Sequence, residues 1–274
     1  MSYQHAAPPS TQYKLGLVIA EQWQRLRDRE VVLLDGFHAV KHALRFGAEV
    51  LSVITVDRAA ALGMAEVLAP DLAGMLAARL AEVDAATFAR LSGHRTGVAA
   101  LARRAPWSLG PLVAHRRSPL VFLDGPRHLG NYGAVVRVAA GLGAAGVVST
   151  GTVDPWHPAV LRGAAGLHYA VPVLRLDEGL PGAVEGPLLA FDAAGADARA
   201  ATITSNAVLA FGSERHGLSP EVRARADRLL ALPMRPGVAS YNLASAVAMV
   251  LYQWLLGVGG PIGPAAPPLE EHQP

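Results

Sequence analysis

Six short apolar runs alternate with helical patterns through the second half of the chain, and this alternation constrains the fold more than any other feature. The runs predict strands at residues 120–123, 146–150, 171–173, 188–191, 208–211 and 229–232. The intervening patterns predict helices at residues 132–142, 158–165, 177–184 and 220–224, and a last helix from Ser240 onward. Because strands joined by helices pair in parallel, both faces of the sheet should be covered and ligands should bind at the carboxyl ends of the strands.

A smaller α/β pattern occupies the first half of the chain. Apolar runs predict strands at residues 31–34, 50–56 and 97–102, and helical patterns lie at 14–29, 35–46, 59–68, 71–80 and 87–91. Asp35 is expected to cap the helix that follows it. The sequence therefore predicts a small α/β domain over residues 14–103 and a larger one over residues 119–257.

The stretch between these domains and both ends of the chain lack such patterns. Prolines and a glycine interrupt the predicted linker, residues 104–118, and arginines cluster at positions 103, 104, 116 and 117. These arginines could contact phosphate, but a solvated linker is the favoured interpretation. Residues 1–13 and the tail at 258–274, which is rich in Gly and Pro, are expected to be disordered.

Composition excludes several classes of protein. Hydrophobic residues make up 51% of the 274 residues and charged residues 17%, which is ample for a buried core. The absence of Cys excludes disulfides, a thiolate nucleophile and zinc sites built on Cys. No signal peptide is visible and no apolar run approaches the roughly twenty residues of a membrane span, so a cytoplasmic protein without membrane contact is expected.

The basic residues are almost all arginines. Only Lys14 and Lys41 among the 24 basic residues are lysines, and guanidinium groups suit phosphate contacts. The formal net charge is only +2, however, and Arg rises together with Ala, Gly and Pro in proteins from GC-rich genomes. Composition therefore permits nucleic-acid binding without showing it.

One glycine motif matches a nucleotide-binding pattern in the wrong context. Gly141, Gly143 and Gly146 form G-x-G-x-x-G, which binds dinucleotides where a strand precedes it and a helix follows. Here a predicted helix precedes and a predicted strand follows, so these glycines should end a helix and form a tight turn. A nicotinamide-dependent dehydrogenase is therefore disfavoured.

A first polar stretch follows the predicted strand at residues 120–123. Asn131 is expected to cap the next helix, and Gly133 allows close approach of another backbone. Arg137 lies six residues beyond Asn131, almost two turns along an otherwise apolar helix. A guanidinium buried there needs a partner, which could be a carboxylate such as Glu214, a phosphate or a substrate hydroxyl.

Two further polar stretches follow predicted strands near the C-terminus. The strand at 208–211 runs into Gly212, which should leave room for a ligand against bare backbone, and Ser219 should cap the helix beginning at Pro220. The strand at 229–232 runs into a turn that holds Pro236 and Gly237 before Ser240 opens the apolar helix.

Together, and in this order, the three stretches resemble the SpoU (TrmH-type) branch of the SPOUT methyltransferases. The family's motifs are N-x-G-x-x-x-R, G-x-E-x-x-G-L, and Pro-Met followed by Ser-Leu-Asn. They are matched by Asn131, Gly133 and Arg137; by Gly212, Glu214, Gly217 and Leu218; and by Pro233, Met234, Ser240 and Asn242, with Tyr241 in place of the usual Leu. The resemblance is strong over residues 119–256. Residues 30–102 look, more weakly, like a ribosomal-protein-like RNA-binding domain.

This resemblance implies a parallel sheet whose C-terminal segment forms a deep trefoil knot, and a homodimer with each active site near the interface. It implies S-adenosylmethionine as cofactor and no metal. The residues implied to hold the cofactor are Gly212, Leu232, Met234, Ser240, Tyr241, Asn242 and Leu243. Arg137 is implied to act on the substrate hydroxyl, Asn131 and Asn242 to orient RNA and loops, and Glu214 to hold Arg137 or the neighbouring loop.

The implied activity is methylation of a ribose 2′-hydroxyl in RNA. The separate N-terminal domain favours ribosomal RNA over transfer RNA as the substrate. The alternative is an RNA-binding module that keeps the fold without transfer, although the presence of all four polar candidates argues against it. The ten histidines show no metal-ligand spacing, and His128 and His216, which lie near the motifs, are expected to be loop residues.

Overall fold

The computed structural model describes residues 18, 21, 23, 30–92, 94–114, 116–182 and 184–258. Both ends predicted to be disordered lie outside these residues, apart from Val258, which is helical. Most of the helix predicted at 14–29 also lies outside them. The chain divides into two compact units, Met1–Arg104 and Ala105–Pro274. None of the described helices combines the length and the hydropathy that crossing a bilayer requires.

The described part of the first unit is built on a four-stranded mixed sheet. Its strands are β1 (Val31–Asp35), β2 (Val50–Thr55), β3 (Leu80–Glu82) and β4 (Val98–Arg103), in the order β1-β4-β2-β3. Strand β4 pairs antiparallel with β1 and β2, and β3 pairs parallel with β2. The helices are α1 (Phe37–Arg45), α2 (Arg58–Leu68), α3 (Ala73–Arg79) and α4 (Ala85–Leu91). The sequence does not predict β3, because three residues are too few to show an alternating pattern.

The start of α1 differs from the sequence prediction. Asp35 does not cap the helix, because it ends β1, is buried, and accepts a hydrogen bond from the Ser92 hydroxyl. Gly36 stands at the N-cap with a φ of 104°, which favours glycine, and the Phe37 N–H donates to Thr96 Oγ1 at 3.1 Å. Strand β1 therefore extends one residue beyond the predicted apolar run and includes Asp35.

The second unit is built on six parallel strands, which confirms the predicted α/β class. They are β5 (Leu120–Asp124), β6 (Gly146–Ser149), β7 (Val173–Arg175), β8 (Leu188–Asp197), β9 (Val208–Gly212) and β10 (Arg228–Ala231). Their order in the sheet is β10-β8-β9-β5-β6-β7. The helices are α5 (Leu109–Ala114), α6 (Leu129–Gly141), α7 (Pro158–Gly163), α8 (Pro220–Arg225) and α9 (Leu243–Val258).

Helices cover both faces of this parallel sheet. Val136 of α6 and Val247 of α9 belong to one buried cluster, while Leu112 of α5 and Val222 of α8 pack against the cluster on the other face. Strands β5 and β9 are neighbours, and the strand order runs outward from them in opposite directions. This pair is the topological switch point at which open α/β sheets bind ligands.

Several segments of the second unit differ from the sequence prediction. Strand β7 spans Val173–Arg175 instead of residues 171–173. Residues 177–182 and 184 form no helix, because two glycines and a proline interrupt them, and the Leu180 carbonyl accepts a hydrogen bond from Arg225. Strand β8 continues to Asp197 instead of ending at residue 191. Gly195 makes that extension possible, because an added Cβ would lie 2.5 Å from the backbone of β10.

The stretch predicted as a solvated linker is packed on the second unit. The Trp107 indole N–H donates to the His168 carbonyl at 2.9 Å. Arg116 donates to the carbonyls of Ala207 at 3.1 Å and Asn206 at 2.8 Å. The guanidinium of Arg116 therefore stabilises a loop backbone, and its donors are already used in hydrogen bonds within the protein.

Helix α6 packs closely against α7 through a glycine. A Cβ added at Gly133 would lie 2.5 Å from the Val160 carbonyl oxygen, so no side chain fits there. At its other end α6 stops at Gly141 and the chain enters β6 at Gly146, with Gly143 at a φ of 70° between them. The order of helix, turn and strand confirms that these glycines are not a dinucleotide motif.

We expect Gly133→Ala to lower the free energy of unfolding by about 1–3 kcal/mol, because the added methyl group must push two helix backbones apart. Gly141→Ala is the matched control in the same helix, since nothing lies within 4 Å of its added Cβ. Alanine favours helix, so this control should be neutral or stabilising by up to about 1 kcal/mol. Urea denaturation measures both variants, and equal stabilities would contradict the close contact.

Candidate active site

Three loops leave the carboxyl ends of the parallel strands in the second unit. The first loop, residues 125–128, follows β5; the second loop, residues 213–219, follows β9; and the third loop, residues 232–242, follows β10. Asp124 of β5 pairs with Gly212 of β9, so the first two loops start from neighbouring strands at the switch point. These loops therefore occupy the edge at which such sheets bind ligands, which we call the ligand edge.

A chain of side-chain hydrogen bonds connects the three loops. Asn131, in the first turn of α6, donates from Nδ2 to Glu214 Oε1 of the second loop at 2.9 Å. Asn131 Oδ1 accepts from Asn242 Nδ2 at the end of the third loop, also at 2.9 Å. Asn242 Oδ1 accepts from the Ala244 N–H at 2.9 Å and so caps α9. This Glu214–Asn131–Asn242 chain brings together three of the four predicted catalytic residues.

The direction of these hydrogen bonds explains the residue types. An ionised carboxylate only accepts, so Glu214 needs a donor, and the Asn131 carboxamide donates to it while accepting from Asn242. Burial alone would raise the pKa of Glu214. Hydrogen bonds from the Asn131 side chain, from the Glu214 N–H and from the Arg127 N–H at 3.4 Å outweigh burial and hold that pKa below its ordinary value. Glu214 therefore stays an ionised acceptor at neutral pH.

The starts of two helices differ from the sequence prediction. Helix α6 begins at Leu129, and its N-cap is His128, whose Nδ1 accepts from the Asn131 N–H at 3.2 Å. Asn131 is therefore inside the helix, and its side chain reaches across to the other loops. Helix α9 begins at Leu243, so Ser240 lies in the third loop and not at the helix start.

Asp124, which the sequence reasoning missed, fixes the second loop at its end. Its Oδ2 accepts from the Ser219 N–H at 2.6 Å, and its Oδ1 accepts from the Thr150 hydroxyl at 3.3 Å. The loop also closes on itself through reciprocal backbone hydrogen bonds of 3.0 Å between Ser213 and Gly217. A carboxylate directly after an apolar strand is the signal that could have identified this position.

Gly212 makes room for the second loop itself. An added Cβ would lie 2.1 Å from the Gly217 carbonyl carbon and 2.2 Å from the Leu218 nitrogen. The expectation of open space for a ligand on that side of Gly212 is wrong, because the chain's own backbone fills it. A contact between the cofactor and the Gly212 backbone stays a prediction.

The third loop presents exposed apolar surface at the ligand edge. Val238 and Tyr241 are 48% and 40% exposed. The Tyr241 hydroxyl donates to the Pro233 carbonyl at 2.8 Å and so links the two ends of the loop. Of the residues predicted to hold a cofactor here, three are exposed and three are half-buried or buried: Ser240, Tyr241 and Asn242, then Leu232, Met234 and Leu243.

Arg137, the fourth predicted catalytic residue, lies apart from the chain of hydrogen bonds. Six residues at about 100° each place it about 120° around α6 from Asn131, on an exposed stripe with Gly130 and Gly141. Its side chain has no hydrogen-bond or ion-pair partner among the described residues. Of the partners that the sequence left open for Arg137, Glu214 is therefore excluded, since Glu214 bonds instead to Asn131 and to the first loop. The expected burial of Arg137 is wrong.

Two histidines, His128 and His157, act as helix caps. His157 accepts from the Ala159 N–H at 3.1 Å at the start of α7, as His128 does at the start of α6. Within the described ranges, no group of three or more metal-ligating side chains is placed to hold an ion. An imidazole that caps a helix is not distinguishable in sequence from one in a loop, so the sequence analysis missed this role.

Comparison with known proteins gives matches over both units. The model of the SpoU rRNA methylase family matches residues 118–252. An uncharacterized tRNA/rRNA methyltransferase of Mycobacterium bovis is 31% identical over 246 residues, which cover 82% of this chain and 81% of that protein. The 23S rRNA (adenosine(1067)-2′-O)-methyltransferase of Streptomyces laurentii is 31% identical over 144 residues, 49% of this chain and 53% of that protein. The chain thus spans about half the length of the Streptomyces relative.

A solved structure shows the same fold. The SpoU methyltransferase AviRb from Streptomyces viridochromogenes, in complex with AdoMet, superposes with a TM-score of 0.71 at 22% identity, over 88% of this chain and 99% of that one. The mycobacterial protein matches over most of both chains, and the family model matches the second unit, which holds the three loops. The chain belongs to the SpoU rRNA methylase family.

Proposed function

We propose that the protein transfers a methyl group from S-adenosylmethionine to a ribose 2′-hydroxyl of RNA, most favourably ribosomal RNA. The observation that carries this proposal is the Glu214–Asn131–Asn242 chain, which ties the three loops together at the ligand edge of the sheet. Family membership and the name of the Streptomyces relative, a 23S rRNA 2′-O-methyltransferase, support it.

The third loop has the chemistry that the cofactor needs. A purine ring binds in apolar slots with a few backbone hydrogen bonds, and this loop offers Met234, Val238 and Tyr241 beside exposed main chain. The residues that would hold S-adenosylmethionine are those of this loop, which begins with Leu232, together with Leu243 after it and the Gly212 backbone. When bound, the cofactor supplies an electrophilic methyl group on sulfur.

The protein's own part in the reaction is to position the hydroxyl and to stabilise charge. The 2′-hydroxyl releases its proton to solvent water as the oxygen forms its bond to the methyl group, so negative charge develops on the oxygen when the proton leaves ahead of that bond. A guanidinium remains protonated in proteins, so Arg137 acts as a hydrogen-bond donor and a positive charge towards the oxygen or a neighbouring phosphate. Asn131 and Asn242 hold the loops that orient both reactants.

The position of Arg137 supports a homodimer. It lies eight residues into α6, about 12 Å along the axis from the helix start and the ligand edge. The packed neighbour α9 carries an exposed apolar stripe of Met249, Tyr252 and Leu256. An interface formed by this stripe of α9 and the exposed stripe of α6 would bury the apolar side chains. It would also place Arg137 beside the partner subunit, next to the active site of that subunit.

Tyr252→Glu with Leu256→Glu should convert the dimer into a monomer, because two carboxylates would be buried in the interface. Val67→Glu is the matched control, since Val67 is 79% exposed in the first unit and lies outside the stripes. Sedimentation equilibrium measures the mass of each variant. A monomeric wild-type protein, or a double variant that stays dimeric, would contradict the proposed interface.

The remaining parts of the proposal follow from the family resemblance. The first unit would bind the RNA substrate, and the C-terminal segment would follow the knotted path. Ribosomal RNA is favoured because the Streptomyces relative acts on it, whereas the mycobacterial relative is named for both tRNA and rRNA. A substrate of this kind would place the protein in the cytoplasm.

Labelled methyl transfer from S-adenosylmethionine to separate pools of unmodified ribosomal and transfer RNA tests the proposal. We expect label in ribosomal RNA, lowered at least about a hundredfold in Arg137→Ala and in Arg137→Lys, because a lysine lacks the fork of donors. Arg228→Ala, an exposed arginine at the start of β10, is the control and should transfer normally.

Each other outcome of this assay has a definite meaning. Label in transfer RNA alone would keep the chemistry and overturn the substrate. Near-normal transfer by Arg137→Lys would exclude a need for the guanidinium fork. A folded wild-type protein that binds RNA but labels neither pool would contradict the enzyme and favour a non-catalytic RNA-binding module.

A further inference from the structure

Three arginines on the three loops have exposed side chains. Arg127 lies on the first loop, Arg215 on the second and Arg235 on the third. In the parts of the chain that the structure describes, none of these guanidinium groups has a hydrogen bond or an ion pair. The ligand edge therefore carries one uncompensated cation on each loop.

Many other arginines of the second unit are used within the protein. Carboxylates pair with three of them, and backbone carbonyls accept from two more: Arg175 with Asp177, Arg199 with Asp197, Arg223 with Asp192, and then Arg116 and Arg225. Arg117 and Arg228 are exposed and have no partner among the described residues, but they lie at the amino ends of β5 and β10, the opposite edge of the sheet.

The charge balance of the three loops leaves these arginines available. The loops contain one carboxylate, Glu214, and its oxygens already accept from Asn131 and from the Arg127 backbone N–H. Asp124, at the end of β5, accepts from Ser219 and Thr150. Neither carboxylate is paired with a guanidinium of the loops, so an anion from outside the protein would meet three arginines.

The backbone that carries these arginines is fixed in place. The Arg127 N–H is bonded to the Glu214 carboxylate, and Arg215 lies within the closed turn between Ser213 and Gly217. The Arg235 carbonyl accepts from the Val238 N–H at 3.1 Å. Because less main-chain ordering is needed on binding, a ligand would gain more of the contact energy.

We propose that Arg127, Arg215 and Arg235, which we call the arginine rim, bind phosphate groups of the RNA backbone next to the target ribose. This inference rests on the proposed function. A guanidinium matches a phosphate with two parallel hydrogen bonds, and three such groups at one edge fit a polyanion. Phosphate contacts carry no sequence information, so the rim positions the strand while other contacts select the nucleotide.

Equilibrium RNA binding at several salt concentrations tests the arginine rim without any need for catalysis. The probes are an unmodified ribosomal RNA transcript and a short oligouridylate. The rim variant is Arg127→Gln/Arg215→Gln/Arg235→Gln, and the control variant is Arg117→Gln/Arg228→Gln. For each variant, the changes in the dissociation constant and in its salt dependence are divided by the number of arginines removed. Thermal unfolding checks that both variants are folded.

We expect the rim variant to raise the dissociation constant for both probes at least about tenfold, and to lower the slope of log affinity against log salt by about 2, since each phosphate contact on single strands contributes about 0.7. The control variant should retain the wild-type affinity and slope. Loss of affinity with an unchanged slope, or loss for the transcript alone, would mean base contacts and would overturn the inference.

Retained affinity and slope in the rim variant would also overturn it. In that case, methyl transfer by the wild-type protein would show that the proposed function stands without the rim. Absence of salt-dependent RNA binding by the wild-type protein would contradict phosphate binding by the arginine rim. If the same preparation also failed to transfer methyl groups, the proposed function would be contradicted as well.

Discussion

The hydrogen bonds of Asn131 are the interaction on which the site depends. This one carboxamide donates to Glu214 and accepts from Asn242, residues 83 and 111 positions further along the chain. Each hydrogen bond contributes only about 1 kcal/mol to stability in a half-exposed setting. Their importance is therefore geometric, because they join loops from three separate strands into one surface.

The structure divides the polar residues of the candidate active site and of helix α6 into two groups. Asp124, Asn131, Glu214 and Asn242 are occupied with one another or with loop backbone, so they build the site. Arg137 and the arginine rim have no partner among the described residues, so their charges are available to a substrate. The low pKa of Glu214 keeps the first group in its hydrogen-bonded state at neutral pH.

Much of this arrangement could be predicted from sequence because it follows from periodicity. Alternating strands and helices imply a parallel sheet, and a parallel sheet brings every strand's carboxyl end to one edge. The meeting of Asn131, Glu214 and Asn242 follows from that, although their individual hydrogen bonds do not. The observed start of α9, Leu243, lies three residues after the predicted start, Ser240, because Asn242 caps the helix.

The remaining features depend on contacts between distant residues, which a local pattern does not show. Gly212 looks like space for a ligand, but the backbone of Gly217 fills that space. Arg137 looks buried among apolar neighbours, yet its position around α6 turns it outward. Asp35 looks like a cap, but Ser92 from the end of α4 holds it in the strand.

Titration of S-adenosylmethionine into the wild-type protein and into Asn131→Ala tests the central claim most directly. If the Glu214–Asn131–Asn242 chain positions the third loop, the wild-type protein binds the cofactor and Asn131→Ala binds it at least about tenfold more weakly, since the binding-competent arrangement becomes less populated. Asn206→Ala, which removes an exposed amide that precedes β9, should bind normally. Equal affinity of the wild-type protein and Asn131→Ala, or no binding by the wild-type protein, would contradict the account.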